Sequence, residues 1–318
     1  MRLLERVVRR LLRGRSRPAM LASQLAAGWL SRSLDRAFEK AAIDWHGRRS
    51  CLLLSFDVDF PEDALALEPI ARALAARGLQ GSFACVGRWV EDYPEPHRAL
   101  LEAGHEVFNH TYSHPELVSS PGHFVSRRAD LNPRRWGELA PEEQEREVRR
   151  CQEVVDQRLG YRMRGFRVPH FGNAEPEGIY PALRALALEY STSVLASRAR
   201  DLGLPYAPKG LLEIPVTTCP RHPLASLDSW HAYYARGGWH RQDFFEVLQR
   251  RLERAVEKRA LTNVYLDPKD CERLGFDRLF DLVAGMKLDC WTPTYAEFTA
   301  WWMGARSAGV PQAAAGVR

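Results

Sequence analysis

The sequence predicts a parallel α/β protein closed into a barrel, preceded by a basic helical extension. Two observations carry the barrel. Short apolar runs alternate with helical patterns from Cys51 to Trp302, giving about seven strand–helix units. The polar clusters able to do chemistry each follow a strand, and α/β barrels do their chemistry at the C-terminal strand ends. A third observation, arginines alternating with leucines and valines in the opening residues, sets the first 49 residues apart as an extension.

The elements follow from local signals. Cys51 to Phe56 is a short apolar run with no polar alternation, the mark of a strand buried on both faces. Pro61 opens a helical pattern through Leu65, Leu67, Ile70 and Leu74, and Gly78 closes it. Ser82 to Val86 is the next strand, Pro96 to Ala103 a helix, and Glu106 to Asn109 a third strand that leads into a histidine-bearing turn. Residues 119–137, with two prolines and two glycines, read as a loop. Pro141 to Leu159 is a strong helix stopped by Gly160, and Phe166 to Val168 is a brief strand. A helix at 179–188, strands at 189–195 and 211–217, a charged helix at 242–258 and a strand at 261–266 come next. The pattern ends with a helix at 277–286, a strand at 288–291 and a helix from Tyr295 to Trp302. The expected organisation is residues 1–49 as the extension, 50–303 as the barrel and 304–318 as a disordered Ala/Gly-rich tail.

Bulk properties narrow the function classes. A chain of 318 residues with 45% hydrophobic content can bury one large core. The net charge of +5 is concentrated at the start, where residues 1–50 hold 12 Lys/Arg against 4 Asp/Glu. The remainder is slightly acidic, so no nucleic-acid partner is expected. The six cysteines form no C-x-x-C pair, and in a chain of this length they read as free buried thiols. No apolar run of roughly 20 residues is present to span a bilayer. Leu3, Leu4, Val7, Val8, Leu11 and Leu12 recur at helical spacing between arginines. That pattern fits a basic helix resting on an anionic membrane face through residues 1–30, or a surface helix packed on the domain. No export signal is read, so the expected location is the cytoplasm, at the inner face of the membrane.

Three segments carry the chemistry. In Ser55-Phe56-Asp57-Val58-Asp59-Phe60, two carboxylates at i and i+2 of an extended segment point the same way. They repel unless a cation or a proton lies between them, though an Asp pair can also cap the following helix. In His110-Thr111-Tyr112-Ser113-His114, two imidazoles four residues apart can meet at one point if the backbone turns helically. With Asp59 they make a two-histidine, one-carboxylate set that leaves positions open for water and substrate. In Phe166-Arg167-Val168-Pro169-His170-Phe171-Gly172, an arginine at a strand end is placed to pair with a carboxylate such as Asp57.

The order and spacing of these FDVD, HTYSH and RVPHFG segments resemble the polysaccharide deacetylase family, the NodB-homology domain of carbohydrate esterase family four. The resemblance runs from about Cys51 to Trp302 and implies a distorted seven-stranded (β/α) barrel that hydrolyses an N-acyl group with a bound metal. By that resemblance Asp57 is the base, Asp59, His110 and His114 hold the metal, and Arg167 orients the base. Zinc suits such a donor set best, with cobalt, nickel or iron also accepted. A backbone N–H near His170 is the expected oxyanion donor. This sequence departs from the family's pattern in the residue inserted between Asp57 and Asp59, in the lack of the aspartate that pairs with the arginine or the late histidine, where Ser193 and Val194 stand, and at the general acid. The family supplies a late histidine after an apolar strand, and here Asn263-Val264-Tyr265-Leu266-Asp267 puts Asp267 there. Three readings stay open: Asp267 as a general acid whose pKa burial raises, His222 or His170 in the histidine's place, or a protein that binds without turnover. The resulting expectation is a metal-dependent deacetylase acting on an N-acylated sugar, carried on a nucleotide or lipid, in glycan or surface-polysaccharide synthesis. The alternatives are an allantoinase-like cyclic amide hydrolase and a metal-bearing glycan-binding protein.

Overall fold

The structure is a computed structural model describing residues 17–115, 132–170, 176–229 and 241–307. Its centre is strand β1 (Ser50–Val58), buried along all nine residues. The alternation along β1 sorts the whole molecule. Leu52, Leu54, Phe56 and Val58 face one core, where they meet the surrounding helices. Cys51 and Leu53 face a second core with Ala84, Phe108, Tyr190, Leu212, Ile214 and Tyr295 from the other strands and the last helix. Side chains of period two must divide this way, so Ser55, Asp57 and Asp59 belong to the inward series and rise to the mouth of the barrel.

Beside β1 lie β2 (Ser82–Cys85), β3 (Glu106–Asn109), β4 (Gly165–Phe166), β5 (Tyr190–Ser191) and β6 (Leu212–Glu213), each parallel to its neighbour. A short antiparallel hairpin, β7 (Thr218–Cys219) and β8 (His222–Ser226), precedes β9 (Leu261–Leu266), which pairs in parallel with β1 from Cys51 to Phe56. β10 (Cys290–Trp291) adds to the start of β1. The sheet curls because the chain after β6 returns to β9: the Thr217 amide donates to the Asn263 carbonyl at 2.8 Å, and Asp228 bridges to Tyr265 in parallel. The seven parallel strands β9-β1-β2-β3-β4-β5-β6 thus make the expected distorted barrel. Strands β4, β5 and β6 are only two residues long, shorter than the apolar runs at 166–168, 189–195 and 211–217 suggested.

Helices cover the outside. The Pro61 helix breaks into α1 (Pro61–Leu65) and α2 (Leu67–Ala75), followed by α3 (Gly87–Asp92), α4 (Pro94–Glu102) and α5 (Pro141–Leu159). Gly160 ends α5 in the left-handed region at φ 63°, as a glycine stop should. Then come α6 (Tyr180–Ala185), α7 (Arg241–Lys258), α8 (Pro268–Leu274), α9 (Phe276–Gly285) and α10 (Tyr295–Ser307). α10 runs past the expected start of the tail at 304, and residues 308–318 lie outside the described part, as do residues 1–16 of the extension. Ahead of the barrel, helix αN (Arg17–Ala41) packs Ala27, Phe38 and Ala41 inward and sends the buried Asp35 to Arg251 and Arg254 of α7. The six cysteines are free and buried, as read.

Candidate metal centre

The cluster forms where β1, β3 and β4 end. Beyond β1, Asp59 keeps its place because its carbonyl accepts the Trp89 indole N–H at 2.8 Å and its amide donates to Asp63 at 3.2 Å. Asp63, one turn into α1, also accepts the Phe60 amide at 3.0 Å, so the helix start grips the strand end.

The turn after β3 is shaped by strain and by one buried amide. Thr111 and His114 both sit at positive φ, 66° and 51°, which costs about 1–3 kcal/mol each for residues with a Cβ. Offsetting bonds surround them. Asn109 accepts the Thr111 amide at 2.9 Å and donates to the Val148 carbonyl at 2.9 Å. Glu147 of α5 accepts the Tyr112 amide, the Ser113 amide and the Ser113 hydroxyl at 3.2, 2.8 and 2.6 Å.

The result brings the three sequence-predicted ligands together. His110 Nε2 lies 3.1 Å and His114 Nε2 3.4 Å from Asp59 Oδ1, and one ligand atom from each residue lies within 4.8 Å of the others. Both imidazoles are buried. The His110 Nδ1–H donates to the Arg167 carbonyl at 2.8 Å, which fixes the tautomer and leaves the Nε2 lone pair aimed at Asp59. Asp59 Oδ1 and His114 Nε2 are buried without hydrogen-bond partners among the described residues. Asp59 Oδ1 and both ring nitrogens of His114 thus meet in the interior without a hydrogen-bond partner of their own, which suits a shared cation.

The charges around the cluster agree. Burial works against the Asp59 carboxylate, but the neighbouring His114 and His110 and the ammonium of Lys269 outweigh it and hold the carboxyl well below the usual range. Burial depresses His114 to about 3, so it stands as a neutral donor. His170, also at positive φ, lies with its ring 4.9 Å from that of His114 and is held down to about 4 by burial, so it too is neutral.

Asp57 lies beneath this cluster, bonded to Arg167. The guanidinium is completely buried and spends its other donors on the Ser55 hydroxyl at 3.0 Å, the Tyr295 hydroxyl at 2.8 Å and the Thr192 carbonyl at 3.2 Å. Burial pushes the Asp57 carboxyl up from its ordinary value, and Arg167 and His110 pull against that without cancelling it. An ionised carboxylate with an upward-shifted pKa is suited to accept a proton.

Asp267 follows β9 directly. Because Phe56 pairs with Leu266, Asp267 continues the register opposite Asp57 at the barrel mouth. Its carboxylate accepts the Ser229 hydroxyl at 2.9 Å, and burial raises its pKa well above the usual value, with Lys269 opposing. His222 stands elsewhere, on the β7–β8 hairpin, 3.7 Å from Cys219 Sγ and beside Arg221. Of the two histidines offered in place of the missing one, only His170 is brought to the cluster.

Sequence reasoning missed the residues that position this site. Tyr295, Asn263 and Thr192 ring the guanidinium, and Asp63 and Glu147 brace the two ligand turns. Asp63 carried a legible signal, a carboxylate at N3 after Pro61. Glu147 carried none, being one of several acids on a charged helix.

A parallel α/β barrel with one carboxylate and two imidazoles converging at its C-terminal rim defines a protein equipped to hold a divalent cation beside a buried carboxylate. Residues 46–185 match the family model described as polysaccharide deacetylase, a span containing all three segments, so the resemblance drawn from them holds. Two solved structures share the fold, both assigned by description to the polysaccharide deacetylases. One, from Mycobacterium smegmatis, is 18% identical, covers 86% of this chain and 96% of its own, and has a TM-score of 0.64. The other, from Pseudomonas aeruginosa PAO1, is 13% identical with 82% and 93% coverage and a TM-score of 0.62.

Proposed function

We propose that the protein is a metal-dependent deacetylase that hydrolyses an N-acetyl, or related N-acyl, group on a sugar. The observation that carries this reading is the convergence of Asp59, His110 and His114 directly above the Asp57–Arg167 pair. A divalent cation held by those three side chains, zinc by preference and cobalt, nickel or iron by the same donor chemistry, supplies Lewis acidity toward the acyl carbonyl and toward water. Asp57 accepts the proton of the attacking water, and Arg167 keeps that carboxylate ionised and aimed. Asp267, whose carboxyl burial biases toward its protonated form, donates to the departing amine. A backbone N–H near His170, whose ring lies beside that of His114, would hold the oxyanion.

The test is acetate release from a panel of N-acetylated sugars by protein stripped with chelator and then reloaded with each of the four metals. Release should appear only after reloading. No release with any metal would overturn the hydrolase reading in favour of a glycan-binding protein, and release from a cyclic ureide alone would make it a cyclic amide hydrolase.

We further propose that the substrate sugar is carried on a nucleotide or lipid in envelope glycan synthesis, and that αN rests on the cytoplasmic membrane face. Leu21, Leu25 and Trp29 recur every fourth residue on αN and are 58%, 66% and 66% exposed, and residues 1–17 carry seven arginines. No described helix is long and apolar enough to cross a membrane. Cosedimentation with vesicles containing anionic lipid should fall sharply in a Leu25→Glu/Trp29→Glu variant. Equal sedimentation of variant and wild type would sink the membrane contact.

A further inference from the structure

A second cleft, of about 230 Å³, lies between αN, α7 and the β7–β8 hairpin, away from the metal centre. One of its walls is Leu261, the first residue of β9, whereas Asp267 lies six residues further along and past the strand's other end. At about 3.3 Å per strand residue the two are roughly 20 Å apart. That wall of the cleft therefore lies well away from Asp267.

Its lining has two characters. Phe38 of αN, Pro215, Val247 and Leu261 give it an apolar wall. Arg221, Arg250, Arg251 and Arg254 also line it, and no carboxylate does. Asp35, behind the wall, pairs with Arg251 at 3.0 Å and with Arg254, which offsets one of the four charges. Glu246 reaches Arg250 at 3.4 Å, but both are exposed, so that pair screens little inside the cleft. Arg251 is only 10% exposed, and its Nε–H is buried with no hydrogen-bond partner among the described residues. Arg251 also donates to the Leu261 carbonyl at 3.0 Å, so its guanidinium is held in the wall, and an anion among the four arginines offsets their mutual repulsion.

We propose that this cleft binds a phosphate monoester carried on an apolar chain, with the phosphate among the arginines and the first carbons of the chain against Phe38, Val247 and Leu261. A phosphate dianion meets this positive lining with more charge than a monoanionic carboxylate, and arginine forks match the phosphate oxygens. The cleft is smaller than the roughly 300–1,000 Å³ of a drug-sized pocket, which suits a head group and a short length of chain. The termini of this chain are poor occupants: residues 1–16 hold six arginines and one glutamate, and residues 308–318 hold no acid.

Calorimetry of the full chain with n-octyl phosphate tests this, with inorganic phosphate, octanoate and octyl glucoside as comparisons. Octyl phosphate should bind at least about ten times more tightly than inorganic phosphate or octanoate, octyl glucoside should not bind, and an Arg221→Gln/Arg250→Gln variant should lose about tenfold or more in affinity. Arg250 is 73% exposed, so its replacement leaves the fold intact, and circular dichroism verifies that for the pair. Absence of octyl phosphate binding, equal binding by the variant, or equal binding of octyl glucoside overturns the proposal. So does tighter binding of octanoate, or inorganic phosphate matching the ester. Deacetylation by the variant should be unchanged, which separates this result from the fate of the proposed hydrolase activity.

Discussion

Replacing Asp57 with asparagine separates the proton chemistry from the metal. The exchange keeps the shape of the side chain and an acceptor for Arg167, and removes the negative charge and the basicity. Arg167 then keeps its bonds to Ser55, Thr192 and Tyr295 but loses its buried counter-ion. Removing one partner of a buried pair costs about 3–5 kcal/mol, and the retained acceptor places this case near the lower end. Loss of a general base lowers the rate by about 10²–10⁴-fold, equivalent to about 3–5 kcal/mol of barrier. Metal content should not change, because Asp59, His110 and His114 are untouched. The assays are acetate release from the best sugar substrate, metal stoichiometry after gel filtration, and urea unfolding. A second variant, Asp57→Asn/Arg167→Met, removes both charges and should recover much of the stability without recovering activity. The reasoning is refuted if Asp57→Asn keeps more than about a tenth of the activity, or if the metal leaves together with the activity.

Two further outcomes follow from the same geometry. Asp267→Asn should retain the metal, lose about 10²–10⁴-fold in kcat and lose the alkaline limb of the pH–rate profile, because the carboxyl that burial biases toward its protonated form is gone; an unchanged alkaline limb would move the proton donor to another group. His97, buried on α4 with its Nδ1–H donating to the Tyr93 carbonyl at 2.7 Å, is depressed by burial from 6.5 to about 4. A depressed folded-state pKa means stability that is present above pH 6.5 and is lost as pH falls toward 4, so the loss approaches about 3 kcal/mol. A His97→Gln variant should show a flatter fall in unfolding free energy across that window, and parallel curves would show that the buried imidazole is not its source.

Much of this molecule was legible because its main signals are local. The run from Cys51 to Phe56 has no polar break, and a strand buried on both faces is the only parallel-sheet element that reads so. Asp57 and Asp59 could be placed on one face from their spacing alone, and Asp57 ends the inward series of β1 with Asp59 just past the strand. Other features depend on distant partners. The strands at 190–191 and 212–213 are short because their regular pairing breaks off before it resumes at the Leu195–Val216 bridge, a non-local event with no sequence mark. The hairpin at 218–226 and the helix at 268–274 have no counterpart among the elements expected from the sequence, and Pro220 and Pro223 obscure the first. The arginine's companions come from β5, β9 and α10, up to 128 residues away, so only the folded barrel reveals them.

Arg167 serves both halves of the site with different parts of itself. Its carbonyl takes the proton of His110, and its guanidinium holds Asp57. One residue is therefore the common ruler from which imidazole and carboxylate are both measured. A change confined to its side chain releases Asp57 and leaves His110 in register. An inserted or deleted residue between Gly165 and Val168 would displace both at once and destroy their alignment in a single event. The number of residues beyond His114 and His170 can accordingly vary during evolution or redesign, while that of the two-residue strand that carries this ruler cannot.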